Sequence, residues 1–213
     1  MKRILIFANG NLPDLERARA ILHPADAILC ADGGTRHALA LGLRPDLVIG
    51  DMDSLSRPEW SELEKAGIAI ELYPHDKDET DLELAVTRAL EMEPASLVII
   101  GALGLRLDHT LANLSLLSDP RLAGLDARID DGVEEVQFCR AEAELAGAPD
   151  DLVSLIPWGG PALGVRTAGL RWPLNGETLH PEKTRGISNK MLDASARISL
   201  ASGLLLVIHR RQS

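Results

Sequence analysis

Two aspartates spaced two residues apart, in Gly50-Asp51-Met52-Asp53-Ser54, are the residues of this 213-residue chain best suited to chemistry. In an extended segment residues i and i+2 face the same way, so Asp51 and Asp53 would present a hard-oxygen pair that suits Mg²⁺. Paired like charges are costly unless a cation relieves them, although an Asp-rich turn before a helix is the plain alternative. Ala31-Asp32-Gly33-Gly34 offers a second acid beside two glycines, which permit a tight turn and close backbone approach to an anion. The same four residues also serve as a turn with an Asp helix cap.

Three further segments carry polar groups. In His75-Asp76-Lys77-Asp78-Glu79-Thr80-Asp81, Thr80 and Glu83 have the spacing of a capping box and Asp81 complements a helix dipole. That structural account leaves Asp76, Lys77 and Asp78 unexplained. In Gly101-Ala-Leu-Gly-Leu-Arg106-Leu-Asp108-His109, the planar fork of Arg106 suits a phosphate and Asp108 suits orienting or deprotonating a hydroxyl. Later in the chain, Trp172 could stack on a planar ring with Ser188 and Asn189 as hydrogen-bonding partners, or be a core Trp beside an ordinary turn.

These residues need elements to position them. Apolar runs Ile4–Ala8, Ala27–Ala31, Leu47–Ile49 and Leu97–Ile100, with Ile68–Tyr73, read as strands that stop at small or acidic residues. Helical patterns fill the gaps near 13–22, 35–41, 58–66, 80–92 and 106–117. The expectation is an α/β N-terminal domain with a mostly parallel sheet, whose acids converge outside the carboxyl ends of the strands. From Asp126 onward the pattern changes to short β runs, including Ala127–Ile129, broken by Gly, Pro, Asn and Asp. A smaller all-β sandwich C-terminal domain is expected there, giving domains of residues 1–125 and 126–213.

Composition sets limits. Hydrophobic residues make up 46% and charged residues 25%, the balance of a globular protein. Acids outnumber bases 32 to 22, and 20 acids against 12 bases fall in residues 1–125. Such a field argues against nucleic-acid binding and implies that a phosphate ligand needs a bridging divalent cation. No GxxxxGK[ST] segment is present, so a P-loop does not explain a nucleotide site. Two distant cysteines, Cys30 and Cys139, fit a reduced, cytoplasmic setting. The N-terminal apolar run is too short for a signal peptide, and no run approaches a membrane span.

Taken together, Ala31–Gly34, Gly50–Ser54, Lys77–Asp81, Gly101–His109, Thr167-Ala-Gly-Leu-Arg-Trp172 and Gly186-Ile-Ser-Asn189 resemble, in order and over nearly the whole chain, the thiamine pyrophosphokinases. The resemblance implies an ATP:thiamine diphosphotransferase that is Mg²⁺-dependent and forms thiamine diphosphate and AMP. It also implies a homodimer with thiamine bound between subunits. Carried over by position, it implies Asp51, Asp53 and Asp81 at the metal and Asp32, Gly33, Asp51, Asp53, Ser54 and Thr80 at ATP. It further implies Asp81, Arg106 and Asp108 at the reacting groups, and Trp172, Ser188 and Asn189 at thiamine. One position departs: the family commonly has glycine directly before the arginine, where this chain has Leu105. A Cβ there penalises a positive φ. The alternatives are a diphosphotransferase for another heterocyclic alcohol, such as a hydroxymethylpterin, and a regulatory module that binds thiamine or nucleotide without catalysis.

Overall fold

The computed structural model describes residues 2–24 and 26–212, and the chain divides into two compact units, Met1–Gly132 and Val133–Ser213. The first unit alternates strands and helices: β1 (Arg3–Phe7), α1 (Leu15–Ala20), β2 (Ala27–Ala31), α2 (Thr35–Ala40), β3 (Leu47–Gly50), α3 (Arg57–Lys65), β4 (Ala69–Leu72), α4 (Asp81–Glu91), β5 (Ser96–Ile100), α5 (Leu107–Leu117) and β6 (Asp126–Asp130). The pairings among these six strands are parallel, in the order β6-β5-β1-β2-β3-β4, with Ile6 of β1 registered against Leu29 of β2 and Ile99 of β5.

The continuous apolar runs explain this sheet. Ile4–Phe7, Ala27–Ala31 and Leu97–Ile100 are buried at every position, the signature of strands covered on both faces. Each fully buried Ile, Leu or Phe contributes about 1.5–3 kcal/mol. Helix α4 shows how a face is covered: Leu82, Ala85, Val86 and Ala89 are buried at helical spacing, and the helix packs on β1, β2 and β3. Its start is fixed by Thr80, whose side chain accepts from the Glu83 N–H. Helix α5 behaves differently. Only Leu117 is buried on it, while Leu107 and Leu111 are exposed.

Chain order fixes where loops meet. The strands run outward from β1 through β2 and β3 to β4, and β5 then returns to the other side of β1. Order reverses between β1 and β5, and crevices outside the carboxyl ends of parallel strands form at such a point.

The second unit is antiparallel throughout: β7 (Glu134–Cys139), β8 (Glu142–Ala146), β9 (Leu152–Pro157), β10 (Ala162–Ala168), β11 (Asn175–Leu179), β12 (Asn189–Lys190), β13 (Ser195–Ser199) and β14 (Leu205–Arg210). One sheet contains β12-β9-β14-β7 and the other β11-β10-β13-β8. In β9 burial alternates residue by residue, the period-two pattern of a sandwich strand. Leu145, Val153, Leu155, Val165, Ile198 and Val207 form the core of this unit.

The break between units differs from the one expected at 125/126. Residues Asp126–Asp130 form β6, which adds in parallel to β5, so they belong to the first sheet and the break falls after Gly132. A five-residue run that is equally β-like in either setting is assigned by its partner, not by its composition. Strand β8 has no clear signal for the same reason. Its Glu-Ala-Glu-Leu-Ala sequence favours helix locally, yet it pairs antiparallel with β13 along its length and buries Leu145.

Candidate active site

The strand ends of the first unit open onto a cleft of about 500 Å³, within the size range of small-molecule sites. Ala8, Asn9 and Gly10 follow β1 in its wall, Asp32 follows β2, Asp51 follows β3, and Ala102 and Gly104 follow β5. Lys77, Thr80 and Asp81 arrive from the loop before α4 and its first turn. Acids distant in sequence therefore do converge where the strands stop.

The grouping is not the one the spacing suggested. Asp51 and Asp53 do not lie on an extended segment: Met52 has φ +61°, and Asp51 Oδ1 accepts the Asp53 N–H at 3.1 Å in a tight turn. The turn separates the two carboxylates' surroundings. Ligand atoms of Asp32, Asp51 and Asp81 lie within 4.8 Å of one another, whereas Asp53 groups with Asp51 and His75. Of the three acids expected at the metal, Asp53 and Asp81 thus fall in different groups, with Asp51 common to both.

Asp32 is 4% exposed, and its Oδ1 is buried without a hydrogen-bond partner; Oδ2 accepts the Ser54 N–H at 3.3 Å. A buried carboxylate oxygen facing two further carboxylates is a poor stable state without a cation. The donor set, three carboxylates of hard oxygen, fits Mg²⁺. Burial, together with the charge of Asp81, pushes the Asp32 carboxyl above its usual range. Burial also raises Asp51, but the Asp53 N–H, His75 and Lys77 outweigh it and hold that carboxyl below the usual range.

Two basic side chains, Lys77 and His75, face this cluster, and the sequence reading assigned neither. Lys77 Nζ lies 3.0 Å from Asp81 Oδ1 and 3.5 Å from Asp51 Oδ2, with its side chain 12% exposed. Burial opposes its charge, yet Asp81 and Asp51 keep it protonated. The Lys77–Asp81 spacing of four residues was the available signal, but it is common on solvated surfaces. His75 Nδ1 lies 2.7 Å from Asp51 Oδ2, and nothing in its local sequence distinguishes it from a loop histidine.

Backbone strain holds the acids in place. Asp32 (φ +42°), Met52 (φ +61°) and Leu105 (φ +58°) all adopt the left-handed region that non-glycine residues avoid. Gly50, at φ +146°, is required for a different reason: a Cβ there would sit 2.9 Å from Asp81 Cγ and 3.1 Å from Asp32 Cβ. Arg36 braces the turn from behind, donating to the Ser54 carbonyl and pairing with Glu59, which in turn caps α3 through Ser56.

The other expected site residues are placed as follows. Ser54 and Thr80 line the cleft, but Gly33 does not; it is buried behind the Asn9 side chain, 2.5 Å from where its Cβ would be. Gly33 and Gly34 pack closely against Asn9 and Phe7, leaving no room for a Cβ at either position. Arg106 lines the cleft, and its guanidinium grips both Asp108 oxygens at 3.1 and 2.5 Å. That grip lowers Asp108 to about 2, which makes it a weak base and an effective aim for Arg106. Leu105 keeps the left-handed turn of a glycine and leaves its side chain exposed. Trp172, Ser188 and Asn189 form their own group in the second unit. Asn189 is buried and spends its amide on the Trp172 backbone, accepting from its N–H at 3.1 Å and donating to its carbonyl at 2.7 Å. It positions Trp172, which is exposed with the Arg171 guanidinium 5.2 Å over its ring. Ser188 adopts φ +57° and donates its N–H to Ser154 Oγ.

Residues 18–129 match the family described as thiamin pyrophosphokinase, catalytic domain, and residues 142–205 match the thiamin pyrophosphokinase vitamin B1 binding domain. The chain belongs to the thiamine pyrophosphokinase family. It is 32% identical to thiamine pyrophosphokinase of Bacillus subtilis over 83% of this chain and 84% of that one. It is 30% identical to thiamine pyrophosphokinase 1 of Arabidopsis thaliana over 96% of this chain and 85% of that one. The crystal structure of the Bacillus subtilis protein superposes with a TM-score of 0.89 at 27% identity, covering all of both chains. The matched catalytic region contains Asp32, Asp51, Asp53, Asp81, Arg106 and Asp108, and the matched vitamin-binding region contains Trp172, Ser188 and Asn189. The chain is an enzyme of that family, a transferase.

Two substitutions test this geometry. Gly50→Ala should lower kcat/KM by at least about tenfold, the equivalent of roughly 1.4 kcal/mol, through displacement of Asp81 and Asp32; unchanged steady-state kinetics would remove the packing argument. Leu105→Gly should leave activity unchanged or raised and should not lower stability, since glycine relieves a strain of about 1–2 kcal/mol at φ > 0 while giving up little packing. Denaturant melts and initial rates check both, and a collapse in either would show that the leucine packs against a neighbour.

Proposed function

We propose that this enzyme transfers the terminal diphosphate of ATP to the hydroxyethyl oxygen of thiamine, forming thiamine diphosphate and AMP with Mg²⁺ required. The observation that carries the reading is the convergence of Asp32, Asp51 and Asp81 in a cleft that Arg106 also lines, within the matched catalytic region. In the reaction the thiamine hydroxyl oxygen bonds to the β-phosphorus, the bond from that phosphorus to the oxygen bridging the α-phosphate breaks, and AMP leaves with the electron pair. Asp32, Asp51 and Asp81 would hold the metal, which when bound spreads the charge of the phosphate oxygens.

The rest of the work falls to the chain. Arg106, aimed by Asp108, offers its remaining donors to a phosphate. Ser54 and Thr80 supply hydroxyls in the wall, and Asp53 sits toward the rim beside His75. The hydroxyl proton goes to a carboxylate that lines the cleft, since both Asp108 oxygens are already committed to Arg106. In the second unit, the exposed face of Trp172 suits stacking on a thiamine ring, with Asn189 fixing the loop that presents it. The exposed Leu107 and Leu111, one helical turn apart on α5, support a homodimer, because apolar side chains clustered on one helix face favour a partner surface. Two buried, free cysteines support a cytoplasmic setting. Among the described residues no helix is long and apolar enough to cross a membrane.

Product analysis of the purified protein with ATP, thiamine and Mg²⁺ tests the reaction. Equal amounts of AMP and thiamine diphosphate, lost on chelation, are expected; ADP with thiamine monophosphate would overturn diphosphoryl transfer, and inactivity with thiamine but turnover of another alcohol would overturn the substrate. Trp172→Ala should raise KM for thiamine up to roughly tenfold, from a stacking contribution of about 0.5–1.5 kcal/mol, with KM for ATP little changed. Equal effects on both substrates would assign Trp172 to support of its own domain.

A further inference from the structure

Lys77 lines the cleft, and the proposed reaction gives it no task. Its ammonium bridges Asp81 and Asp51, two of the three carboxylates that group within 4.8 Å, and its third contact is the Pro74 carbonyl at 3.2 Å. Asp32 Oδ1, the buried oxygen of the same group, has no hydrogen-bond partner. The ammonium therefore stands on two of the carboxylates a divalent cation would use. A metal ion and this ammonium compete for the same oxygens, because two cations a few ångströms apart in a partly dry cleft repel strongly.

We propose that Lys77 is an exchangeable counter-ion that ties metal entry to nucleotide entry: it holds the carboxylates in the free enzyme and moves to the phosphates when the metal arrives with them. Lys77 lines the same cleft as Arg106, so phosphates held there lie within its surroundings. The flexible four-carbon stem and compact charge of lysine suit such a move, which the planar fork of arginine does not match. Metal binding alone must strand the ammonium without an anion. Metal with a polyphosphate supplies one. The two ligands therefore bind with positive coupling, and the coupling is reciprocal. The inference rests on the metal-dependent reading above.

The test measures binding instead of turnover. Free Mn²⁺ is titrated by electron paramagnetic resonance into wild type, Lys77→Met, Lys77→Arg and Asp51→Asn. Each titration is run with and without α,β-methylene ATP, in which the bond that would break is replaced. Wild type should bind Mn²⁺ weakly alone and at least about tenfold more tightly with the nucleotide, inside the usual 5- to 150-fold range of such coupling. Lys77→Met should bind Mn²⁺ alone at least about tenfold more tightly than wild type and should lose most of the enhancement by nucleotide. Lys77→Arg should keep weak binding of Mn²⁺ alone, and Mg²⁺ should raise the Tm of Lys77→Met more than that of wild type. Mn²⁺ binding to Lys77→Met no tighter than to wild type overturns the exchange while leaving the metal site intact, provided Asp51→Asn still abolishes binding. If wild type binds no Mn²⁺ under either condition, the metal-dependent reading fails and the exchange with it.

Discussion

Repulsion among three carboxylates is the constraint on which the rest of this structure turns. Asp32, Asp51 and Asp81 come from the ends of two strands and the start of a helix, and no local preference would bring them together. Like charges at such distances favour separation, so the scaffold must hold them against it. It does so by rigidity on three sides. Gly50 lets Asp81 and Asp32 approach a backbone that any side chain would push away. Left-handed conformations at Asp32 and Met52 turn the two loops inward, and Arg36 with Glu59 fixes the outer edge of the turn.

The stability for this comes from elsewhere in the sheet. Strands β1, β2 and β5 bury every residue from Ile4 to Phe7, Ala27 to Ala31 and Leu97 to Ile100, which places a continuous hydrophobic layer beneath the loops that line the cleft. Strain at a site persists only when its surroundings over-determine it. Parallel strands also supply direction. All their carboxyl ends point one way, so acids at consecutive strand ends share one rim, and the reversal of order between β1 and β5 opens the crevice there.

The second unit solves a different problem with different means. Trp172 is exposed, and a buried amide fixes its backbone. Asn189 reaches the Trp172 backbone from both its donor and its acceptor, fixing the loop while leaving the ring face open. A buried amide thus controls how an exposed aromatic side chain is presented.

Much of this was legible in the residues. The parallel α/β and antiparallel halves followed from apolar runs and turn residues, because strand period and burial on both faces leave a direct trace in composition. The acids at Asp32, Asp51 and Asp53 stood out because they follow apolar runs rather than decorate helix faces, whereas Asp81 was singled out by the family resemblance. What the sequence could not decide was partnership. Asp126–Asp130 is β-like in any context, and its place in the first sheet came from pairing with β5. Asp53 and Asp81 fall into different carboxylate groups because a positive φ at Met52 breaks the alternation that spacing assumes. Lys77 and His75 look like solvated loop charges until their distances to Asp51 and Asp81 are known. Periodicity is a local property that a chain carries in its order of residues, whereas the field at a carboxylate is a sum over neighbours that only folding brings near.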